Sequence, residues 1–215
     1  MDHTGITEVS SEARLRELIG SPMPRTRDKA RPSLHEHDRE WLAHSPFCLI
    51  ATSAADGSCD VSPKGDPAGF VKVLDDTTIA IPDRAGNRRV DGFVNLLSNP
   101  QIGLIFLVPG RGDTLRINGR ARIVSEAPFL DAMVVSGNRP RLAVLVEVEE
   151  VFFHCSKAFL RSQLWQPQTW EPEALPSRAR IARDLEQPNV PLEQLEEYYG
   201  PAYAAGLYPT GSVGP

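Results

Sequence analysis

The stretch from residue 82 to residue 99 carries the side chains best suited to binding a ligand. It follows an apolar strand, contains a Gly-Asn turn and presents Arg84, Arg88 and Arg89. A tight turn exposes backbone N–H groups, and guanidinium groups bind phosphate oxygens through paired hydrogen bonds. If residues 88–98 are helical, their N-terminal amides add to this attraction. The stretch indicates a phosphate site, with a solvated basic turn as the alternative.

Residues 60–66 (DVSPKGD) form a second candidate site. Ser62 supplies a hydroxyl group, Lys64 supplies a cation, and Gly65 allows a ligand to approach the backbone closely. Pro63 is typical of an edge strand or a bulge, where backbone groups are left unpaired. The alternative is a strand end that turns over at the K-G-D sequence.

The polar face of a later strand, TLRINGRARIV, is a third candidate. Thr114, Arg116, Asn118 and Arg120 alternate with apolar residues and therefore share one face. In a barrel this face points to solvent or lines a groove between two subunits. The pattern alone leaves both interpretations open.

A fourth candidate lies at residues 153–165, FHCSKAFLRSQLW. Lys157, Arg161 and Ser162 together resemble a second anion-binding group, and Trp165 could cover a flat ring. An amphipathic helix with exposed cations is the alternative interpretation.

The sequence contains no motif for protein-based catalysis. It has no phosphate loop and no GxGxxG, HExxH or GxSxG sequence, and no convincing nucleophile–base pair. Cys48, Cys59 and Cys155 lack metal-ligand spacing, and His154 and Cys155 would point to opposite faces of a strand, so no metal site is expected. If the protein is an enzyme, a bound cofactor is expected to supply the chemistry.

Composition limits the class of protein. With 215 residues, 41% of them hydrophobic, we expect one packed domain with arms. No run approaches about 18 apolar residues, so no membrane span is expected. The N-terminus has no apolar signal core and the cysteine count is odd, which favours a cytoplasmic location. A net charge of −5 argues against general nucleic-acid binding.

The positioning elements are mostly strands. Residues 46–155 read as short antiparallel strands joined by turns such as Asp56-Gly57, preceded by a helical arm at 1–45. Residues 156–215 form a tail that packs on the barrel or on a partner, with an extended last segment. Helices are expected at the following places: 10–20, 35–44, 127–135, 178–187 and 192–199. The strand at 101–108 (QIGLIFLV) is apolar on both faces, which predicts burial on both sides and favours a dimer.

Three stretches together resemble the pyridoxamine 5′-phosphate oxidase-like flavoproteins, which are FMN-binding split barrels, and within them a branch of probable FMN-dependent enzymes without an assigned substrate. The resemblance covers residues 10 to 170 approximately. It implies a mainly β fold with peripheral helices, built on a six-stranded antiparallel split β-barrel. The matching stretches are SPFCLIATSAADGSCDVSPKGDPAGFVKVLDDTTIAIPDRAGNRR, NPQIGLIFLVPGRGDTLRINGRARIV and FFHCSKAFLRSQLWQPQTW.

In that family two chains form a homodimer, and each FMN lies in the groove between them. The resemblance implies flavin contacts along the early strand from Ser62, Pro63, Lys64 and Gly65, and at the strand end near the ring from Ile81 and Pro82. It implies contacts with the ribityl phosphate from Asn87, Arg88 and Arg89. It also implies contacts from a strand of the other subunit, through Thr114, Leu115 and Arg116, and from the tail, through Lys157, Arg161, Ser162 and Trp165.

The implied function is hydride transfer at flavin N5 with a small organic substrate or a nicotinamide electron donor. The family's Arg-x-x-x-x-Lys run and C-terminal Arg-x-His motif are absent here, which argues against pyridoxamine phosphate as substrate. A non-catalytic flavin carrier or sensor is the alternative, as is a relative that binds haem or a deazaflavin. Haem would require an axial ligand, for which His154 is the only candidate in the barrel.

Overall fold

The computed structural model describes residues 4–208, which divide into two compact units, residues 4–30 and residues 31–208. The first unit holds helices α1 (Glu12–Ile19) and α2 (Pro24–Arg27), and Ser11 caps α1 as its sequence predicts. The second unit holds the elements α3 (Glu36–His44), β1 (Phe47–Ser53), β2 (Cys59–Gly65), β3 (Lys72–Val73), β4 (Thr78–Pro82), α4 (Asp91–Ser98), β5 (Gln101–Leu107), β6 (Thr114–Val124), β7 (Ala143–His154), α5 (Lys157–Ser162), α6 (Arg178–Leu185), α7 (Leu192–Tyr198) and α8 (Pro201–Ala205), with short 3₁₀ turns at 128–133, 167–169 and 172–174.

The strands form one antiparallel sheet in the order β2-β1-β5-β6-β7-β4-β3. This confirms the mainly β, split-barrel fold predicted from sequence. The strand number is seven, because the hairpin at Asp75-Asp76 contributes a strand of only two residues, β3, in addition to β4. The edges of the sheet are β2 and β3, so β2 presents a free edge where the second candidate site lies.

Successive residues point to opposite sides of this sheet, which we call the inner face and the outer face. The inner face is buried and carries most of the core, including Cys48, Ile50, Leu104, Phe106, Leu115, Ile117 and Val151. Trp41 and Leu42 of α3 and Leu96 of α4 pack against it. The outer face carries Leu49, Ala51, Val61, Ile105, Arg116 and Asn118, which the strand register sets side by side.

Strand β6 keeps its alternation through a bulge. Its register with β7 shifts between Asn118 and Gly119, from Asn118 opposite Glu150 to Gly119 opposite Val148. A Cβ atom on Gly119 would lie 2.0 Å from the carbonyl oxygen of Glu147, so only glycine allows the two backbones to approach this closely.

Strand β5 is buried on one face within this chain, since Leu104 is 1% exposed and Ile105 is 39% exposed. The expected burial of its other face goes with a dimer and stays a prediction. One expectation from sequence is wrong. Residues 201–205 form the helix α8 and are not extended, because Pro201 stands at the first helical position and alanines follow it. The remainder of the predicted extended segment, from residue 209 on, lies outside the described residues.

Candidate functional site

A cavity of about 1270 Å³ opens beside the edge strand β2. Its walls come from β1 and β2, the loop after β4, α4, the loop before β7 and residues 207–208. Its apolar side chains include Ile50, Phe70, Phe93, Leu96 and Val144, which belong to the core or its margin and which we call the apolar patch. Pockets for small molecules commonly measure roughly 300–1,000 Å³, so this one has room for a cofactor together with a substrate.

Strand β2 turns alternate side chains into this cavity. Ser62 and Lys64 are half-buried because the register places them on the face of Ile50 and Cys48. The Lys64 ammonium lies 2.8 Å from Asp83 Oδ1 and 4.9 Å from the centre of the Phe93 ring. The ion pair holds Lys64 at the wall, where its other N–H groups remain available to a ligand.

The basic loop Asn87–Arg89 forms the cavity rim next to α4. Asn87 Oδ1 accepts a hydrogen bond from the backbone N–H of Arg89, and Arg88 adopts the left-handed conformation with φ of +60°. Arg89 pairs with Asp91 at the start of α4, whereas the exposed Arg88 has no ion pair among residues 4–208. The loop therefore carries two exposed guanidinium groups at a helix start.

The first turn of α4 adds to this rim. Val90 occupies the N-cap position, and no described side chain caps the helix. The helix begins close to β2, since a Cβ atom on Gly92 would lie 3.0 Å from Asp60 Oδ2 and 3.8 Å from Ser62 Oγ. The positive end of the helix dipole thus lies beside the Ser62 side of the cavity, where an anion is favoured.

Arg84 has a different role from its two neighbours in the basic stretch. Its Nε atom donates to Asp66 Oδ2 at 2.6 Å, and its Nη atoms donate to the carbonyl oxygens of Met133 and Asn138 at 2.7 and 3.2 Å. These bonds occupy the guanidinium group and tie the loop before β7 to the loop after β4. Arg84 therefore builds the cavity wall, and three of its five N–H groups are used within the protein.

Half of the predicted flavin contacts meet at this cavity. They are Ser62, Pro63, Lys64, Gly65, Pro82, Asn87, Arg88 and Arg89. The other half lie elsewhere in the chain. They are Ile81, Thr114, Leu115, Arg116, Lys157, Arg161, Ser162 and Trp165.

The residues away from the cavity have other surroundings in this chain. Ile81 and Leu115 are buried in the core, and Thr114 is 5% exposed. Arg116 lies on the outer face, with its guanidinium 5.5 Å from the centre of the Phe152 ring. Trp165 donates its indole N–H to the carbonyl oxygen of Arg111 at 2.7 Å.

The short helix α5 and the turn after it present the remaining predicted contacts. Lys157, Arg161 and Ser162 are exposed, and the Ser162 hydroxyl donates to the carbonyl oxygen of Phe159 at 3.2 Å. The Trp165 ring stacks on Phe159, with 5.8 Å between the ring centres. This group can therefore reach a ligand only at its own exposed surface.

Sequence reasoning missed two parts of the cavity wall. The loop before β7 contributes Arg139 and Arg141, and the C-terminal end contributes Leu207 and Tyr208. The two arginines flank Pro140 in a basic turn, a signal of the same kind as the one recognised at residues 84–89. Nothing local in the sequence indicates Tyr208, because its contact is with a residue far away in the chain.

The cavity is cationic although the chain is acidic. Its wall carries six cationic side chains and three carboxylates, in a protein with a net charge of −5. Together with the apolar patch, this donor set fits FMN, whose ring is flat and largely apolar and whose tail ends in a phosphate. The candidate haem ligand His154 is exposed at the end of β7 and is not part of the cavity wall.

The described residues show neither a metal cluster nor a membrane-spanning helix. Within residues 4–208, no group of three or more His, Cys, Asp or Glu side chains is arranged to hold a metal ion. In the same residues, every helix is too short or too polar to cross a bilayer.

Comparison with known proteins identifies one family. The family model described as pyridoxamine 5′-phosphate oxidase matches residues 34–155, more than half of the chain. A search of curated proteins finds no match.

Solved structures with a similar fold have low sequence identity. HupZ of Group A Streptococcus is 21% identical and aligns over 56% of this chain and 93% of its own, with a TM-score of 0.45. A putative pyridoxamine 5′-phosphate oxidase of Lactobacillus delbrueckii is 21% identical over 57% and 95%, with a TM-score of 0.45. An FMN-binding protein of Syntrophomonas wolfei is 13% identical over 55% and 89%, with a TM-score of 0.42. These values are too low to carry an argument about ligands.

Proposed function

Because the chain belongs to the pyridoxamine 5′-phosphate oxidase family, we propose that it is an FMN-dependent oxidoreductase with its flavin in the cavity beside β2. One observation carries the proposal. The apolar patch of this cavity lies within the same walls as the exposed guanidinium groups of Arg88 and Arg89 at the start of α4. A ligand with a flat ring and an anionic tail matches both features at once.

Each part of the wall has a role in this proposal. Arg88, Arg89 and the first turn of α4 bind the ribityl phosphate. Lys64 offers an N–H group to the polar edge of the ring, and Ser62, whose hydroxyl donates to Asp60 Oδ2, offers its oxygen as an acceptor. Ile50, Phe70 and Val144 exclude water from the apolar part of the ring. Bound FMN supplies hydride transfer at its N5 atom, while the chain orients the ring and the substrate.

We further propose that the protein is a homodimer through the outer face of the sheet. Val61 is 60% exposed and Ile105 is 39% exposed on this face, next to the half-buried Leu49. Apolar surface of this kind is stabilised when a second copy covers it. The partner copy would then bring its own Arg116 and its α5 residues to the flavin, whereas the side chains of Thr114 and Leu115 are buried within their own chain.

The substrate is proposed to be a small organic molecule or a nicotinamide electron donor. The family's Arg-x-x-x-x-Lys run and Arg-x-His motif, which are absent here, would serve pyridoxamine phosphate. The substrate is therefore expected to differ from that compound while the flavin site is retained. The excess of cationic side chains in the cavity favours the binding of anionic molecules.

The test is the spectrum of the purified protein, with mass spectrometry of the molecule that heat releases, followed by flavin titration of the variant Arg88→Ala with Arg89→Ala. Each lost charged hydrogen bond costs about 1.5–3 kcal/mol, so the Kd for FMN should rise about a hundredfold or more. A matched control, Arg180→Ala with Arg183→Ala, removes two arginines from α6, which is not part of the cavity wall.

Three results would overturn parts of the proposal. Unchanged FMN affinity in the Arg88 and Arg89 variant would refute the phosphate assignment. A haem or deazaflavin spectrum would refute FMN as the cofactor. A bound flavin that no nicotinamide nucleotide bleaches under anaerobic conditions would favour a carrier or sensor over an enzyme that uses this donor.

A further inference from the structure

Asp66 and Arg84 together join four segments of the chain beside the cavity. The Asp66 side chain is 1% exposed, and Oδ2 accepts a hydrogen bond from Arg84 Nε at 2.6 Å. Arg84 itself is 16% exposed and also holds the carbonyl oxygens of Met133 and Asn138. The segment after β2, the loop after β4 and the loop before β7 are thereby locked together.

The fourth segment is the C-terminal end of the described chain. The hydroxyl group of Tyr208 donates to Oδ1 of Asp66, the carboxylate oxygen that Arg84 leaves open. Leu207 and Tyr208 both line the cavity. The hydrogen bond from Tyr208 to Asp66 raises the pKa of the phenol, which is protonated at neutral pH even without this shift and therefore acts as the donor.

This hydrogen bond ties residues 201–208, which we call the tail segment, to the cavity wall. Residues 201–207 are exposed, and only Tyr208 is half-buried. Helix α8 buries none of its residues. A segment with so little buried surface opens locally at low free-energy cost, so a single charged hydrogen bond decides whether it stays against the cavity.

We propose that Asp66 and Arg84 are positioning residues that hold Tyr208 as a wall of the cavity and so slow the release of the ligand bound there. The proposal rests on the proposed function, since FMN is the ligand whose release is measured. Breaking the Tyr208–Asp66 bond opens the wall at Leu207 and Tyr208 and leaves the basic loop Asn87–Arg89 unchanged. Its main effect is therefore on the rate of dissociation.

The test compares Tyr208→Phe with the parent protein and with Tyr203→Phe. Tyr203 belongs to the same tail segment but packs on Tyr198 and Tyr199 and does not line the cavity. Release of FMN, followed by the recovery of flavin fluorescence on dilution, should be roughly tenfold faster in Tyr208→Phe. Association rates and the melting temperature should match those of the parent, which separates this effect from general destabilisation.

A second measurement needs no flavin. Chymotrypsin cleaves after Leu, Tyr and Phe unless proline follows. Cleavage of the flavin-free protein after residue 203 and after Leu207 should therefore be faster in Tyr208→Phe than in the parent and in Tyr203→Phe. Unchanged cleavage would overturn the proposal, because the tail segment would not depend on Tyr208. Faster cleavage with unchanged FMN release would also overturn it, since Tyr208 would not retain the ligand. If the parent binds no FMN, the proposed function fails and the cleavage result alone decides whether Tyr208 holds the tail segment.

Discussion

Strand β5 is apolar on both the inner and the outer face of the sheet, but the two faces differ in what covers them. Leu104 and Ile105 are neighbours on β5, yet Leu104 is 1% exposed and Ile105 is 39% exposed. On β2, Val61 of the outer face is 60% exposed, while its neighbours Asp60 and Ser62 turn toward the cavity. Apolar residues on both sides of a strand thus indicate two covered faces, but they do not tell whether the same chain supplies both covers.

The candidate site divides along the same line. Ser62, Lys64 and the basic loop Asn87–Arg89 belong to the cavity, whereas Arg116 lies on the outer face. A single chain therefore assembles only part of the flavin site that its family resemblance implies. The first predictions test whether a second copy completes the site.

The largest effect is expected from charges placed on the outer face. In Val61→Asp with Ile105→Asp, dimerisation would bury unpaired carboxylates at a cost of several kcal/mol each. The variant should be a monomer in sedimentation experiments at micromolar concentration and should lose FMN. Leu175→Asp with Leu185→Asp is the control, because both side chains are more than 70% exposed and lie in another part of the chain. A parent protein that is already monomeric at this concentration would refute the shared site.

A smaller effect is expected from mixing two variants that each lack one half of the site. Arg88→Ala with Arg89→Ala removes the cavity half, and Arg116→Ala with Arg161→Ala removes the other half. Each variant alone should bind FMN poorly. After exchange of subunits, every mixed dimer has one intact site, so about a quarter of all sites should recover. No recovery in mixtures shown to contain mixed dimers would mean that each chain builds its site alone.

The free energy of unfolding should respond differently to truncation of Leu104 on the inner face and of its neighbour Ile105 on the outer face. In a Val61→Asp background that sedimentation shows to be monomeric, Leu104→Ala should lower the free energy of unfolding by about 2–5 kcal/mol, because it leaves a cavity in the core. Ile105→Ala should cost less than about 1 kcal/mol there. Denaturant unfolding measures both values. In the dimeric parent the cost of Ile105→Ala should rise, and equal costs in both backgrounds would mean that nothing covers this side chain.

Local sequence signals were enough to predict much of the fold. The cap at Ser11 and the glycine at position 20 delimit α1, and Pro46 follows α3. The alternation of apolar and polar residues predicts the inner and outer faces of β6. These features depend on residues within one or two turns of each other, and such signals are visible in the sequence.

Contacts between distant residues explain what the sequence did not reveal. Arg84 resembles Arg88 and Arg89 in the sequence, but its role is decided by Asp66, 18 residues earlier, and by carbonyl groups about 50 residues later. Tyr208 contacts Asp66 across 142 residues. Whether an arginine builds a wall or binds a ligand depends on such partners and not on its local pattern.

The smallest expected effect concerns the reactivity of the cysteines. Cys48 lies on the inner face, where burial raises the pKa of its thiol to about 12, although Lys64 lowers it in part. Only the thiolate reacts with thiol reagents, so at pH 8 Cys48 should be labelled only after unfolding. Cys59, at the start of β2, and Cys155 are exposed and should react quickly in the folded chain. Counting labelled thiols by mass spectrometry checks this.

The labelling rate of Cys59 also tests whether a second copy covers the outer face, on which this residue lies. A second copy should slow the labelling of Cys59 in the parent relative to Val61→Asp with Ile105→Asp. Equal rates would argue that this end of the face stays open in the dimer.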